Sequence, residues 1–149
     1  MKPLELKEYL CAQIPIAQAL GIDVVSLSAD GVELTAPLEA NRNHLGTAFG
    51  GSLGSVMILA CYAWMFNRLG EDGKNCHVVI QTAQTDYLKP VTGNLRAICN
   101  PPDGAEIERM LRHVDRKGVA RLKISSQIVD NSGEVLCRFV GDFVAHVAK

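Results

Sequence analysis

The run Val56-Met57-Ile58-Leu59-Ala60-Cys61-Tyr62-Ala63-Trp64-Met65-Phe66 is apolar for eleven residues without a break, and it limits the rest of the chain more than any other feature. A membrane span needs about 20 such residues, so this run is read as a buried helix. Gly51-Ser52-Leu53-Gly54 leads into it, and Asn67, Arg68 and Gly70 mark its end. The spacing therefore predicts one long helix over 51–69, apolar on nearly every side. A helix of that kind has to be enclosed by other elements.

The enclosing material reads as strands. After a helical stretch that is interrupted at Pro15 and stopped at Gly21, Ile22–Ser28 and Val32–Leu38 flank Asp30-Gly31, a strong hairpin signal. A polar loop, Ala40–Phe49, then delivers the chain to the long helix. Beyond it, Cys76–Leu88 is β-branched, and Lys89-Pro90-Val91-Thr92-Gly93 reads as the turn of a second hairpin, closed by Asn94–Cys99. Asn100–Gly104 breaks the pattern, and Ala105–Val114 reads as a short helical or irregular excursion. Val119–Val129 and Glu134–Val147 alternate around Asp130-Asn131-Ser132-Gly133 as two last strands. Short turns after the helix disfavour a parallel sheet built on helical crossovers. The expectation is an α+β fold, one domain over 1–149, with an antiparallel sheet wrapped around a long central apolar helix.

Charge and cysteine usage narrow the function classes. Fifteen Lys and Arg against sixteen Asp and Glu leave a formal charge of −1, so no global attraction to phosphate backbones is encoded and nucleic acid is not an expected partner. Cys11, Cys61, Cys76, Cys99 and Cys137 are odd in number, widely spaced and without a C-x-x-C pair. They suggest neither a disulfide framework nor a zinc site, and read as reduced, buried thiols of a cytoplasmic protein. The N-terminus alternates charged and apolar residues and does not read as an export signal. No membrane association is expected.

The chemistry concentrates in Asn41–Ser55. A phosphate-binding P-loop is excluded because no Lys-Ser/Thr follows the second glycine. Gly50-Gly51-Ser52-Leu53-Gly54 satisfies the G-x-S-x-G expression of a nucleophile elbow, with His113 and His146 downstream, but no buried strand precedes Ser52. In a third reading the glycines form the start of the buried helix, where unpaired N–H groups and the positive end of the macrodipole stabilise a carbonyl oxygen that gains negative charge. Tight packing of glycines on a sheet is the alternative at this point, and spacing does not separate the two.

Asn43-His44-Leu45-Gly46-Thr47-Ala48-Phe49-Gly50-Gly51 resembles the N-x-x-G-T-x-H-G-G segment of the hotdog-fold acyl-coenzyme A thioesterases, with Phe49 in place of histidine. Asp86-Tyr87-Leu88-Lys89-Pro90-Val91-Thr92-Gly93 is similar to the family's second common segment. The nearest likeness is to a thioesterase domain that also occurs fused to acetyltransferase domains. The resemblance implies hydrolysis of acyl-CoA or acyl-carrier-protein thioesters, with no metal or organic cofactor, in a homodimer or dimer of dimers with the site at the subunit interface. It further implies that Gly50 supplies the oxyanion-binding N–H and that Asn43 orients the thioester or the attacking water. The helix carboxylate of many relatives would fall at Ile58, and neither it nor Leu59 ionises.

Histidine titrates near neutrality, which makes His44 a candidate base, although a lone loop histidine is as readily solvent-exposed. Ser55 lies one turn beyond Gly51, on a face that would line the pocket or allow close packing. Thr47, Phe49, Gly51, Ser52 and Asp86 are candidate substrate contacts; for Thr47 loop stabilisation competes, and for Asp86 pairing with a basic neighbour. Arg116, Lys117 and Arg121 belong to a cationic stretch suited to the phosphates of coenzyme A. Met57, Trp64, Met65 and Phe66 are assigned to packing. Two rival functions remain: a non-catalytic acyl-binding or interaction module, and a hotdog dehydratase or hydratase, which Phe49 disfavours.

Overall fold

The computed structural model describes residues Met1–Lys149. Helices α1 (Pro3–Gln13) and α2 (Pro15–Leu20) start at prolines, whose missing N–H costs nothing at a helix N-terminus, and α2 stops at Gly21 in the left-handed conformation, φ 73°. Strands β1 (Asp23–Ser28) and β2 (Gly31–Ala36) form the expected Asp-Gly hairpin. The second strand ends at Ala36, short of the expected Leu38, and a four-residue helix, α3 (Leu38–Asn41), takes Leu38 and the first residues of the segment read as loop. The long helix α4 covers Gly50–Glu71, slightly beyond the sequence bounds. Then come β3 (Cys76–Tyr87), β4 (Leu95–Asn100), α5 (Gly104–Lys117), β5 (Val119–Val129) and β6 (Val135–Val147).

The six strands make one antiparallel sheet in the order β1-β2-β4-β5-β6-β3. It curves around α4, which packs against β2, β3, β4, β5 and β6; this is the hotdog arrangement. Met57, Trp64 and Met65 are buried within it, and Phe66 stacks on Tyr9 of α1 with ring centroids 4.4 Å apart. Enclosure is not complete. Gly51, Gly54, Ser55 and Ile58 form a stripe on α4 that stays exposed or half-buried, because β3, the strand beside it, is the last of the sheet.

One expected pairing is corrected. β3 and β4 do not form a hairpin; β3 pairs with β6, and β4 lies between β2 and β5. The Leu88–Asn94 segment is a crossover, not a turn. Leu88 and Lys89 donate to the Leu136 carbonyl, and buried Val91 accepts from Ala48 N–H at 2.8 Å, so the chain is carried across the end of the sheet. The 105–114 excursion is a full 14-residue amphipathic helix, capped by Asp103, which accepts from Glu106 N–H at 3.0 Å, and closed by left-handed Gly118.

β3 carries a bulge. Ile80 opposes Phe143 and Thr82 opposes Asp142, so Gln81 is an extra residue that reverses which side chains face α4 downstream. Gly141 makes room for it: a Cβ there would sit 2.7 Å from the Thr82 carbonyl oxygen. Gly141→Ala should therefore destabilise the protein by about 1–3 kcal/mol, the usual range for overpacking, read as a fall in thermal midpoint. An unchanged midpoint would show that the bulge is not held by this contact.

The thiols are structural. All five cysteines are free and four are buried; burial pushes Cys137 up to about 11 and also raises Cys76. Contact with Cys61, together with burial, raises Cys99. Cys76, Cys99 and Cys137 are thereby held away from the thiolate form.

Candidate active site

The loop before α4 is a narrow tongue. Arg42 and Ala48 pair across it as an antiparallel bridge, Gly46 takes the left-handed conformation at its tip, and Phe49 N–H donates to the Asn41 carbonyl at 2.7 Å. Asn43 holds the tongue together. Its Oδ1 accepts from the N–H groups of Leu45 (2.9 Å) and Thr47 (3.2 Å), and its Nδ2 donates to Thr47 Oγ1 at 2.8 Å. Both polar atoms of the amide are thus engaged within the loop, and Thr47 is its internal partner. His44 is exposed beside it.

The tongue delivers Phe49 as the N-cap of α4, and no side chain caps the helix. The first intrahelical bond runs from Leu53 N–H to the Phe49 carbonyl at 3.1 Å, which leaves the N–H groups of Gly50, Gly51 and Ser52 without an acceptor in the helix. Such uncapped donors at the positive end of a 22-residue helix bind an oxyanion or anion directly. Gly51 is the crowded position here, whereas Gly50 leaves room for an ordinary contact. A Cβ on Gly51 would lie 2.4 Å from the Phe49 ring, and one on Gly50 would meet the Tyr87 ring at 3.5 Å.

Tyr87 is the residue that sequence reasoning missed. From the end of β3 its hydroxyl donates to the Gly50 carbonyl at 3.0 Å, tying the start of α4 to the sheet edge. The surroundings are apolar and open: Leu45 is 75% exposed, Phe49 and Tyr87 are each 56% exposed, and Leu88 is 47% exposed. Polar donors ringed by apolar surface suit a carbonyl attached to a hydrocarbon chain.

Ser55, by contrast, donates its hydroxyl to the Gly51 carbonyl at 2.8 Å, an ordinary i−4 bond within a helix. Ser52 is in the first turn, with the loop and not a strand before it, so the nucleophile-elbow geometry is absent. Ile58 faces the open stripe. Asp86 alternates with Tyr87 along β3 and so faces away from α4, opposite Arg138 in register. Arg116 and Lys117 are in the last turn of α5, and Arg121 is on the exposed face of β5. The structure therefore gathers Asn43, His44, Thr47, Phe49, Gly50, Gly51, Ser52 and Ser55 around one helix end. It leaves Asp86 and the three cations elsewhere in the subunit.

Comparison with known proteins agrees with this fold. Residues 4–147 match the model of a protein family described as "Putative thioesterase (yiiD_Cterm)". A solved structure of a protein of unknown function from Chlorobaculum tepidum TLS superposes with a TM-score of 0.92 at 31% identity, over 99% of this chain and 98% of that one. A putative thioesterase from Shewanella oneidensis superposes with a TM-score of 0.83 at 23% identity, over 98% and 97% of the two chains. No helix is long and apolar enough to cross a membrane.

Proposed function

The chain belongs to this thioesterase family, and from that membership we propose that it hydrolyses acyl-coenzyme A thioesters, or acyl-carrier-protein thioesters, as a homodimer or dimer of dimers. The observation that carries the reading is the uncapped, glycine-lined N-terminus of α4, opening on apolar surface. The thioester carbonyl oxygen lies on the Gly50 N–H, with the Gly51 N–H beside it. Water adds to the carbonyl carbon, the oxyanion of the tetrahedral intermediate is held by these donors, and the carbon–sulfur bond then breaks to release the thiolate, which takes up the proton lost by water. A thiol ionises near pH 8.5, so the leaving group departs without a strong general acid. A site with aliphatic Ile58 where relatives place an acid is compatible with that chemistry.

In this reading Asn43 positions the oxyanion donors by holding the loop, His44 is the one imidazole in that loop, and Phe49 and Tyr87 shape the acyl entrance. The free thiols fit a reducing, cytoplasmic setting.

Thiol release from a panel of acyl-CoA esters of different chain length tests the proposal. Hydrolysis of at least one ester with kcat/KM of about 10⁴ M⁻¹s⁻¹ or more, within the ordinary enzymatic range, is the expected result. Saturable binding of acyl-CoA without thiol release from any member would instead make the protein an acyl-binding module.

A further inference from the structure

The sheet has two faces, and the candidate active site uses only one. Leu122, Ile124 and Ser126 of β5 are buried toward α4, where the Ser126 hydroxyl donates to the Met57 carbonyl at 2.9 Å. Strand alternation therefore turns Arg121, Lys123 and Ser125 to the outer face. Val140 and Asp142 of β6 join them there, alternating with buried Phe139, Gly141 and Phe143.

This outer face holds a groove. β4 ends at Asn100, opposite Ser125, so residues 119–124 of β5 have no strand on that side, and α5 packs against β5 instead. The link between β4 and α5 contains Pro101 and Pro102, whose fixed φ angles stiffen the rim. The groove has a volume of about 640 Å³, within the range of small-molecule sites. Glu106, Arg109 and His113 form its α5 wall at helical spacing, and Arg121, Lys123 and Asp142 lie on its floor.

The charges in the groove differ in their partners. Lys123 and Asp142 oppose each other in register and pair at 3.2 Å. The Thr82 hydroxyl donates to the same carboxylate at 2.7 Å, and together with Lys123 it holds Asp142 below the usual carboxylate range. That pair is satisfied within the protein. Eight of the fifteen basic residues are in no ion pair, and Arg109 and Arg121 are the two of them that open on the groove. Glu106 is the one further carboxylate in the lining, so positive charge is in excess even with His113 neutral. A free guanidinium is a planar fork of donors that matches two oxygens of a phosphate.

Beside the cations the lining becomes mostly uncharged. The groove shares Asn100, Ser125 and Val140 with a second hollow of about 250 Å³, where Asp86 and Arg138 oppose each other in register and Gln84 and Gln127 join Asn100. Carboxamides offer both donors and acceptors, as the edges of a nucleobase do.

We propose that this outer groove binds a nucleoside phosphate at a site separate from the thioester site, with Arg109 and Arg121 on the phosphate and the carboxamides of Asn100, Gln84 and Gln127 on the base. The sheet stands between this groove and the N–H groups that start α4. The inference does not depend on the thioesterase reading, because binding is measured without turnover.

Calorimetric titration of the full-length protein with AMP, GMP, CMP and UMP tests it, in about 0.15 M salt so that diffuse attraction is screened. At least one nucleotide should bind with a Kd of about 0.1 mM or tighter. Its parent nucleoside, ribose 5-phosphate, and the Arg109→Ala/Arg121→Ala protein should each give binding weaker by about tenfold or more, since each lacks a set of hydrogen bonds. Both arginines are exposed, so the double variant should keep the wild-type thermal midpoint. Absence of nucleotide binding, equal binding to the double variant, or equal affinity for ribose 5-phosphate would each overturn the proposal.

A second titration tests separateness. Protein saturated with a non-hydrolysable acyl-CoA thioether should bind the nucleotide with unchanged Kd. Competition between the two would make the groove a seat for the nucleotide end of coenzyme A and overturn a separate site. Failure of the thioether itself to bind would count against the thioesterase reading and leave the nucleotide site to its own titration.

Discussion

Asn43→Ala should lose about 10²–10³ in kcat while the protein remains folded, the magnitude typical of removing support for a transition-state oxyanion. The cause is local. Three hydrogen bonds from one half-buried amide hold the tongue between Arg42 and Ala48, and the tongue sets the position of Phe49 and the Gly50 N–H. Ring stacking and sheet pairing lie elsewhere, so far-ultraviolet dichroism and the thermal midpoint should change little.

Asn43→Asp separates two ways in which the residue acts. An aspartate keeps both acceptor bonds at its Oδ1 and accepts a bond from the Thr47 hydroxyl, so a residue that only holds the loop tolerates the change with a loss of a few-fold. If the amide N–H also orients water, Asn43→Asp falls as far as Asn43→Ala. His44→Ala adds the remaining distinction: a base at His44 requires a comparable loss and the disappearance of a rate dependence near neutral pH, whereas orientation alone leaves most activity. Wild-type kcat/KM in folded Asn43→Ala would remove the catalytic assignment of this loop.

The parts of the molecule legible in the sequence are those fixed by local chemistry. The eleven-residue apolar run specified α4, and Asp30-Gly31 and Asp130–Gly133 specified two hairpins, because turn residues and periodicity act over a few positions. The partner of β3 was not legible. A Pro-containing turn after β3 reads the same whether the next strand returns alongside or crosses the sheet end, and the choice is made by Val91 and Leu136, contacts distant in sequence. The identity of the inward residue near Pro90 was hidden for a related reason. Counting by twos from buried Val78 places Asp86, not Tyr87, toward α4; the extra residue Gln81 inverts the count, and no signal in Ile80-Gln81-Thr82 announces it.

Ala83→Arg should convert the protein to a folded monomer and remove nearly all activity on acyl-CoA. Ala83 is exposed in the isolated subunit, on the α4 side of the sheet, so a long charged side chain there is solvated and unstrained in the monomer. It is also close to the middle of β3, the last strand of the sheet, where a two-fold axis would pass if a homodimer forms by pairing this strand with itself. The two arginines would then face each other across the axis, with their charges desolvated. Like-charge juxtaposition at an interface costs several kcal/mol, enough to raise the dimer dissociation constant by about 10² or more. Sedimentation velocity at low micromolar concentration should show wild type as a dimer or larger and the variant as a monomer of about 16.1 kDa. Activity should follow the dimer fraction as protein concentration rises if, as proposed, the protein acts as a homodimer or larger. A strict wild-type monomer that hydrolyses acyl-CoA at full rate would overturn the proposed homodimer.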